Sequence, residues 1–328
     1  MPSRRAAILG AAALAILPRR GRAEAIHGLG EAAAALPQLW SLTVAWRGET
    51  VFAEAFRGPA LGRAVNVKSV SKTLVAAITG AAIDLGEIPG VEATLGDLAP
   101  GLIPEGADPR VAGIAVEDLL TLRGGLQSTS RGNYGAWVTS SDWVGYVLSR
   151  PLTGVPGEDF IYSTGSTHLL GAILSEVTGQ SLHRLAQDWI GAPLGIEVQP
   201  WIRDPQGRFL GGNDMALTPA ALLAFGEAFR QGGGSVVSRD WVEASWTPRT
   251  RSTFSGDLYG YGWFQRQARG HVVHYARGYG GQMLWVVPSL DLSAVAISDP
   301  ALPARSDGHV GDLQKLLADV VIPTLEAS

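Results

Sequence analysis

Asn66-Val67-Lys68-Ser69-Val70-Ser71-Lys72-Thr73-Leu74, running straight into the alanine-rich stretch from Val75 to Leu85, is the part of this chain whose reading decides the fold. The run after Leu74 carries apolar residues on every face, with Gly80 its only weak position, so it predicts a buried helix. Residues three apart on a helix are neighbours, with Cβ atoms about 5–6 Å apart. Ser69 and Lys72 are therefore expected side by side at the N-terminal turn. There, unpaired N–H groups and the positive dipole end favour a developing anion.

The pair has a chemistry. A serine hydroxyl is a poor nucleophile until a neighbouring base takes its proton. Lysine serves as that base only where burial or a nearby cation lowers its pKa from about 10.4 toward neutrality. Arginine cannot, because it stays protonated. Lysine stands at only three positions, Lys68, Lys72 and Lys315, among 26 cationic residues, and two of the three flank Ser69. On spacing alone, a solvated helix face explains Ser69 and Lys72 as well as a catalytic pair does.

Composition narrows the field. With 328 residues, 46% of them hydrophobic, and a net charge of −4, the chain can bury the core of one large domain or two moderate ones. No basic stripe is present, which argues against a nucleic-acid partner. The 42 glycines and 19 prolines are dispersed, as in a chain of many turns rather than a disordered tract. Cysteine is absent, which excludes disulfides, thiolate nucleophiles and thiolate metal sites. The six histidines lack metal-ligand spacing, and no Walker, dinucleotide or G-x-S-x-G pattern appears, so no metal and no cofactor is expected.

Residues 1–25 read as a signal peptide. Ser3-Arg4-Arg5 is a positive start, Ala6 to Leu17 an apolar run too short to span a bilayer, and Ala23-Glu24-Ala25 a small-x-small cleavage site. Paired arginines before the apolar run are similar to a twin-arginine export signal. The alternative is an alanine-rich helix of a cytoplasmic protein. The expectation is a bacterial periplasmic or secreted protein whose mature chain has no membrane span.

In the remainder, residues 26–328, strands stand at both ends and helices fill the middle. Ile26 to Ala35 reads as helix. Trp40 to Trp46 and Glu49 to Phe56 alternate around Arg47-Gly48 as a hairpin. Val116 to Leu122, Asn133 to Ser149, Leu169 to Val177, Leu182 to Ile190, Ala220 to Arg230 and Asp240 to Trp246 read as helical. Tyr261 to Gln267, His271 to Ala276, Met283 to Val287 and Asp291 to Ser298 read as strands, and Val310 to Leu325 as a closing helix. The fold class expected is α/β of the α+β kind, a single domain. An antiparallel sheet from about 26–65 and 255–328 carries a mainly helical insertion over about 66–254. The ten tryptophans are expected in the core, with one or two lining a cleft.

Three segments belong together. Ser69-Val70-Ser71-Lys72 is an S-x-x-K element. Pro156-Gly157, Phe160-Ile161-Tyr162-Ser163-Thr164 and His168-Leu169-Leu170-Gly171 form a P-G…Y-S-x…L-L-G block. Tyr275-Ala276-Arg277-Gly278-Tyr279-Gly280-Gly281-Gln282 stands where a K-T-G or H-T-G strand would follow. In order and spacing they resemble the serine beta-lactamase and penicillin-binding-protein superfamily. The likeness is to its class C-like esterases and 6-aminohexanoate-dimer hydrolases, over nearly all of the mature chain. The resemblance implies a beta-lactamase/transpeptidase fold and an acyl-enzyme on Ser69, with Lys72 and Tyr162 sharing the proton relay. It also implies an oxyanion hole from the backbone N–H groups of Ser69 and Tyr279. Thr164, Arg277, Gly278, Gly280 and Gly281 would contact a small-molecule or peptide-like ester or amide substrate. Without the family, Tyr162 is only a tyrosine at a strand end.

Two positions depart from the pattern. Thr164 replaces the asparagine of Y-x-N, a hydroxyl with fewer hydrogen-bonding sites. Ala276-Arg277-Gly278 replaces K-T-G and loses the cation and hydroxyl that help hold a substrate carboxylate. Strand alternation points Arg277 to the face opposite Ala276, where a surface arginine is as good a reading as a substrate contact. Both losses weigh against β-lactam turnover and leave the acylation groups in place. The leading expectation is an exported serine hydrolase cleaving an ester or amide. The rivals are a beta-lactamase or D-alanyl-D-alanine carboxypeptidase, and a non-catalytic cell-wall binder on the same fold. Substrate, leaving group and oligomeric state are left open.

Overall fold

Arg47 and Gly48 both adopt positive φ, 54° and 83°, as a two-residue turn must if it is to match the twist of the strands it joins. In the computed structural model, which describes residues 28–327, this turn links β1 (Leu39–Trp46) to β2 (Glu49–Ala55). The remaining strands are β3 (Val65–Asn66), β4 (Ala216–Leu217), β5 (Thr250–Arg251) and β6 (Leu258–Tyr259). They are followed by β7 (Phe264–Ala268), β8 (His271–Gly278), β9 (Gln282–Val287) and β10 (Leu292–Ser298).

Eight strands form one antiparallel sheet in the order β2-β1-β10-β9-β8-β7-β6-β5, and β3 pairs with β4 apart from it. The N-terminal hairpin thus docks on the C-terminal strand, as expected of a sheet drawn from both ends of the chain. Every residue of β9 and β10 is buried, because both faces are covered. On one face lie α1 (Ser71–Asp84), α2 (Thr164–Thr178) and α3 (Pro219–Arg230), which share a core with Ala276, Leu284, Val286 and Val295. Leu29 and Ala33 pack on the other face. There they join α4 (His309–Lys315), which continues through a wider turn at Leu316–Val321 into α5 (Ile322–Glu326).

Several boundaries moved. α2 begins at Thr164, five residues before the predicted start, so Phe160 to Ser163 is loop rather than strand. The pattern from Asn133 to Ser149 divides into Tyr134–Val138 and Trp143–Leu148, where Asp142 caps the second piece by accepting from the Gly145 N–H. β3, β4, β5 and β6 span two residues each, too short for alternation to reveal. The expected signal peptide, residues 1–25, and the start of the helix expected from Ile26 lie outside the described residues. No described helix is long and apolar enough to cross a membrane.

α1 is the buried helix that its sequence announced: Ser71 through Ala82 are all buried. Gly80, its weak position, has a packing reason. A Cβ there would overlap the indole of Trp241, which is 6% exposed and rests on the Tyr261 ring at 5.2 Å. Alanine is better than glycine in a helix by about 1 kcal/mol, but overpacking a filled site costs roughly 1–3 kcal/mol. Gly80→Ala should therefore lower stability in urea unfolding, against the propensity scale. A stabilised variant would show that Trp241 does not fill that space.

Candidate active site

Ser69 sits on a single tight turn, Lys68–Val70, immediately before α1. The turn is strained. Lys68 holds φ at +52°, costly for a residue with a side chain, and its N–H donates to Asn66 Oδ1 at 2.8 Å. Asp214, also at positive φ (66°), accepts from Asn66 Nδ2 at 2.6 Å and lies 3.5 Å from Lys68 Nζ. Ser71 donates to the Lys68 carbonyl at 2.6 Å and accepts from the Met215 N–H at 3.2 Å. The end of β8 presses on this turn: a Cβ on Gly278 would overlap the Val67 carbonyl and stand 3.0 Å from Lys68 Cβ. Gly278 is required by that approach, and it brings Tyr279 to the cleft that Ser69 lines.

Lys72 points from the first turn of α1 into a ring of oxygens and is 4% exposed. Its Nζ lies 2.7 Å from the Gly212 carbonyl, 3.2 Å from Thr164 Oγ1 and 3.2 Å from Ser69 Oγ. Burial pushes its pKa down to about 7, while the Asp214 carboxylate pulls the other way. An ammonium satisfies all three oxygens with three N–H donors. The neutral amine keeps two donors and one lone pair. Gly212 offers only an acceptor and must retain one N–H, so the lone pair can face only a hydroxyl, that of Ser69 or that of Thr164.

Tyr162 and Thr164 come from the loop entering α2 and its first residue. Ser163, at the cap position, makes no side-chain cap bond. Instead a distant serine-threonine-serine run secures this helix end. Thr129 Oγ1 accepts from the Gly165 N–H at 2.8 Å, Ser130 Oγ from the Thr164 N–H at 3.0 Å, and Ser128 donates to the Tyr162 carbonyl at 2.7 Å. Thr164 Oγ1 also meets Ser130 Oγ at 3.0 Å. The Tyr162 ring centroid is 5.0 Å from Lys72 Nζ, and Phe254 packs edge-on against it at 5.3 Å.

An open cleft of about 970 Å³ joins Ser69, Tyr162, Thr164, Ser130, Arg277, Gly278 and Tyr279. Its aromatic lining is Tyr134, Tyr162, Phe254, Phe264 and Tyr279; no tryptophan lines it, contrary to expectation. Thr164 is 4% exposed and committed to Lys72 and Ser130. Arg277 does lie on the face opposite the buried Ala276, as alternation required. It nevertheless reaches the cleft, with its guanidinium 5.4 Å from the Phe254 ring centroid and bonded to Ser306 Oγ at 2.8 Å. Pairing of β7 with β8 stops at Phe264 and Tyr275, so Arg277 lies past the end of β7 and lines the cleft from the far face. Gly280 and Gly281 are not among the cleft residues. They turn the chain at φ 81° and 94°, pressed against Asp299–Pro300 and His309.

The beta-lactamase family model matches residues 40–318. The chain belongs to the beta-lactamase family. It stands with the serine hydrolases of that superfamily, and the fold agrees. A Bacillus anthracis protein assigned to the 6-aminohexanoate-dimer hydrolases superposes with TM-score 0.72 at 17% identity, over 91% of this chain and 81% of its own. EstCE1, a hydrolase with promiscuous acyltransferase activity, gives 0.73 at 18%, over 92% and 98%. A D-stereospecific amidohydrolase from Streptomyces sp. gives 0.69 at 18%, over 90% and 98%. At such identities these likenesses establish fold alone. No curated protein matches the chain.

Sequence reading missed the Ser128-Thr129-Ser130 run, the Gly212 carbonyl and Asp214. The available signal was Gly211-Gly212-Asn213-Asp214, a glycine pair beside two polar residues late in the helical region.

Lys72 ties stability to pH. The unfolded chain keeps this amine protonated up to about its ordinary 10.5, the folded chain only up to about 7. Between those values the unfolded state binds more protons, so stability rises with pH across that window; below it, the burial cost is present in full. Relative to Lys72→Met, the wild type should gain about 1.4 kcal/mol per pH unit between pH 7 and 10.5. Parallel urea titrations of the two proteins would expose an unperturbed lysine as a flat difference.

Proposed function

We propose that this beta-lactamase-family chain is an exported esterase or amidase that works through an acyl-enzyme on Ser69. The observation that carries the reading is the buried Lys72 amine, with its lone pair confined to hydroxyls and Ser69 Oγ 3.2 Å away. Lys72 removes the Ser69 proton as Oγ attacks the substrate carbonyl carbon. The oxygen that becomes negative is held by the N–H groups of Ser69 and Tyr279, whose residues share the cleft wall. Collapse of the tetrahedral intermediate breaks the ester or amide bond, and the leaving alcohol or amine takes its proton through the Tyr162 hydroxyl. Water then cleaves the acyl-enzyme by the same steps reversed, returning the proton to Ser69. Thr164 Oγ1, which accepts from Lys72 when the amine donates to it, also meets Ser130 Oγ at 3.0 Å on the cleft wall.

Esters and simple amides fit better than β-lactams. Thr164 is occupied by Lys72 and Ser130, and Ala276 is buried in the core at 1% exposed, so the first lacks the free amide of a Y-x-N asparagine and the second the cation of a K-T-G strand. The residue 1–25 signature supports export, and N-terminal sequencing of the secreted protein should begin near Ile26.

Fluorophosphonate should label the wild type and leave Ser69→Ala unlabelled; the absence of labelling on both would leave a binding protein. Lys72→Ala and Tyr162→Phe should each lower kcat by about 10²–10⁴ with the fold retained by circular dichroism. Near-normal turnover in either would remove the role given to it. The wild-type kcat/KM for p-nitrophenyl butyrate should rise through about pH 7 as Lys72 loses its proton. Nitrocefin turnover should be far slower than that ester's, and comparable rates would favour a beta-lactamase.

A further inference from the structure

One buried ionisable pair has no part in the steps above. His168, 0% exposed, and Asp204, 4% exposed, meet at 3.2 Å between Nε2 and Oδ2 behind the cleft. Such a pair is costly to bury and weak evidence for stability, so it asks for another reason. Its geometry is tightly set. The Gly211 N–H can only donate, so His168 Nδ1, 3.2 Å away, must accept, and the ring proton sits on Nε2 facing Asp204. The rings of Trp137 and Trp143 pack edge-on against the imidazole at 5.7 and 5.5 Å. Asp204 Oδ1 accepts from the Arg208 N–H at 2.7 Å, and the Arg208 guanidinium lies 3.9 Å from Oδ2 while pairing with Glu176.

The held N–H belongs to the turn that faces Lys72. A Cβ on Gly211 would overlap the Thr167 carbonyl and crowd His168 Cα at 2.8 Å. One on Gly212, at φ 83°, would stand 2.7 Å from Thr167 Cβ and 3.2 Å from Lys72 Cγ. The turn is therefore wedged between α2 and the lysine stem, with its carbonyl 2.7 Å from Nζ. That carbonyl is the one partner of Nζ that cannot donate, so it decides where the amine's lone pair faces. α2 thus reaches the amine twice, directly through Thr164 and, one helical turn on, through His168 and this turn.

We infer that His168 and Asp204 are positioning residues for Lys72: through the Gly211 N–H they hold the Gly212 carbonyl where it turns the amine's lone pair toward Ser69. The inference rests on the acyl-enzyme reading above.

Two isosteres test it. Asparagine at 168 can place its amide oxygen where Nδ1 accepts, whereas glutamine reaches toward Asp204 and leaves the Gly211 N–H unanswered. The measurement is the rate of fluorophosphonate labelling of the full chain against pH, with melting temperatures recorded alongside. His168→Asn should stay near the wild-type rate and midpoint. His168→Gln should label at least about tenfold more slowly at pH 8, the scale of one lost buried hydrogen bond. Its midpoint should fall below the wild type's, since an acceptor of the ammonium has been loosened. If the two variants share one rate and one midpoint, or their order is reversed, His168 has only a structural place and the inference fails alone. A wild type that is never labelled removes the acyl-enzyme reading and this inference with it.

Discussion

A primary amine held among three oxygens, one of which can never give up a proton, is the constraint on which the rest of this structure turns. The Gly212 carbonyl, Thr164 Oγ1 and Ser69 Oγ surround Lys72 Nζ, and burial lowers its pKa to about 7. An interior that strips water from the amine weakens it as a base and leaves much of it uncharged near pH 7, with a lone pair open to a hydroxyl. The surrounding architecture supplies that environment. α1 is buried on every side, α2 closes over the amine, and the end of β8 presses the Ser69 turn from the sheet side.

Local chemistry made much of this legible. The apolar run after Leu74 and the alternation around Arg47-Gly48 state a helix and a hairpin in neighbouring residues. The Ser69–Lys72 neighbourhood followed from helical spacing. What was hidden depends on contacts between distant segments. α2 begins at Thr164 because hydroxyls of Thr129 and Ser130, 36 and 34 residues back, take its first N–H groups; nothing in Tyr162-Ser163-Thr164 announces that start. The Gly212 carbonyl is a backbone atom, which no side-chain pattern can display. Alternation put Arg277 on the right face, but its reach into the cleft depends on the β7 pairing stopping at Phe264, which the residues of β8 do not display.

The departures from the family pattern look different beside these contacts. Thr164 keeps a bond to Lys72 with fewer atoms than an asparagine has, and Ser130 answers its remaining hydrogen-bonding capacity. Ala276 cannot offer a cation because it packs under the helices, while Arg277 and the Ala304–Asp307 segment line the same cleft from beyond it. Ser69 and Lys72 thus meet as the S-x-x-K spacing implied, while Ala276-Arg277-Gly278 gives the cleft a different wall from the one a K-T-G strand would.

Distant stretches of chain meet at one nitrogen. Thr164 and Gly212 approach Lys72 from 92 and 140 residues away, and the sheet that backs them is closed by the two ends of the molecule. Loops so long close late, after the entropy of the intervening chain has been lost. A half-folded molecule would therefore carry an ordinary, protonated lysine beside an ordinary alcohol. The surroundings that lower the Lys72 pKa come into being only with these long-range contacts.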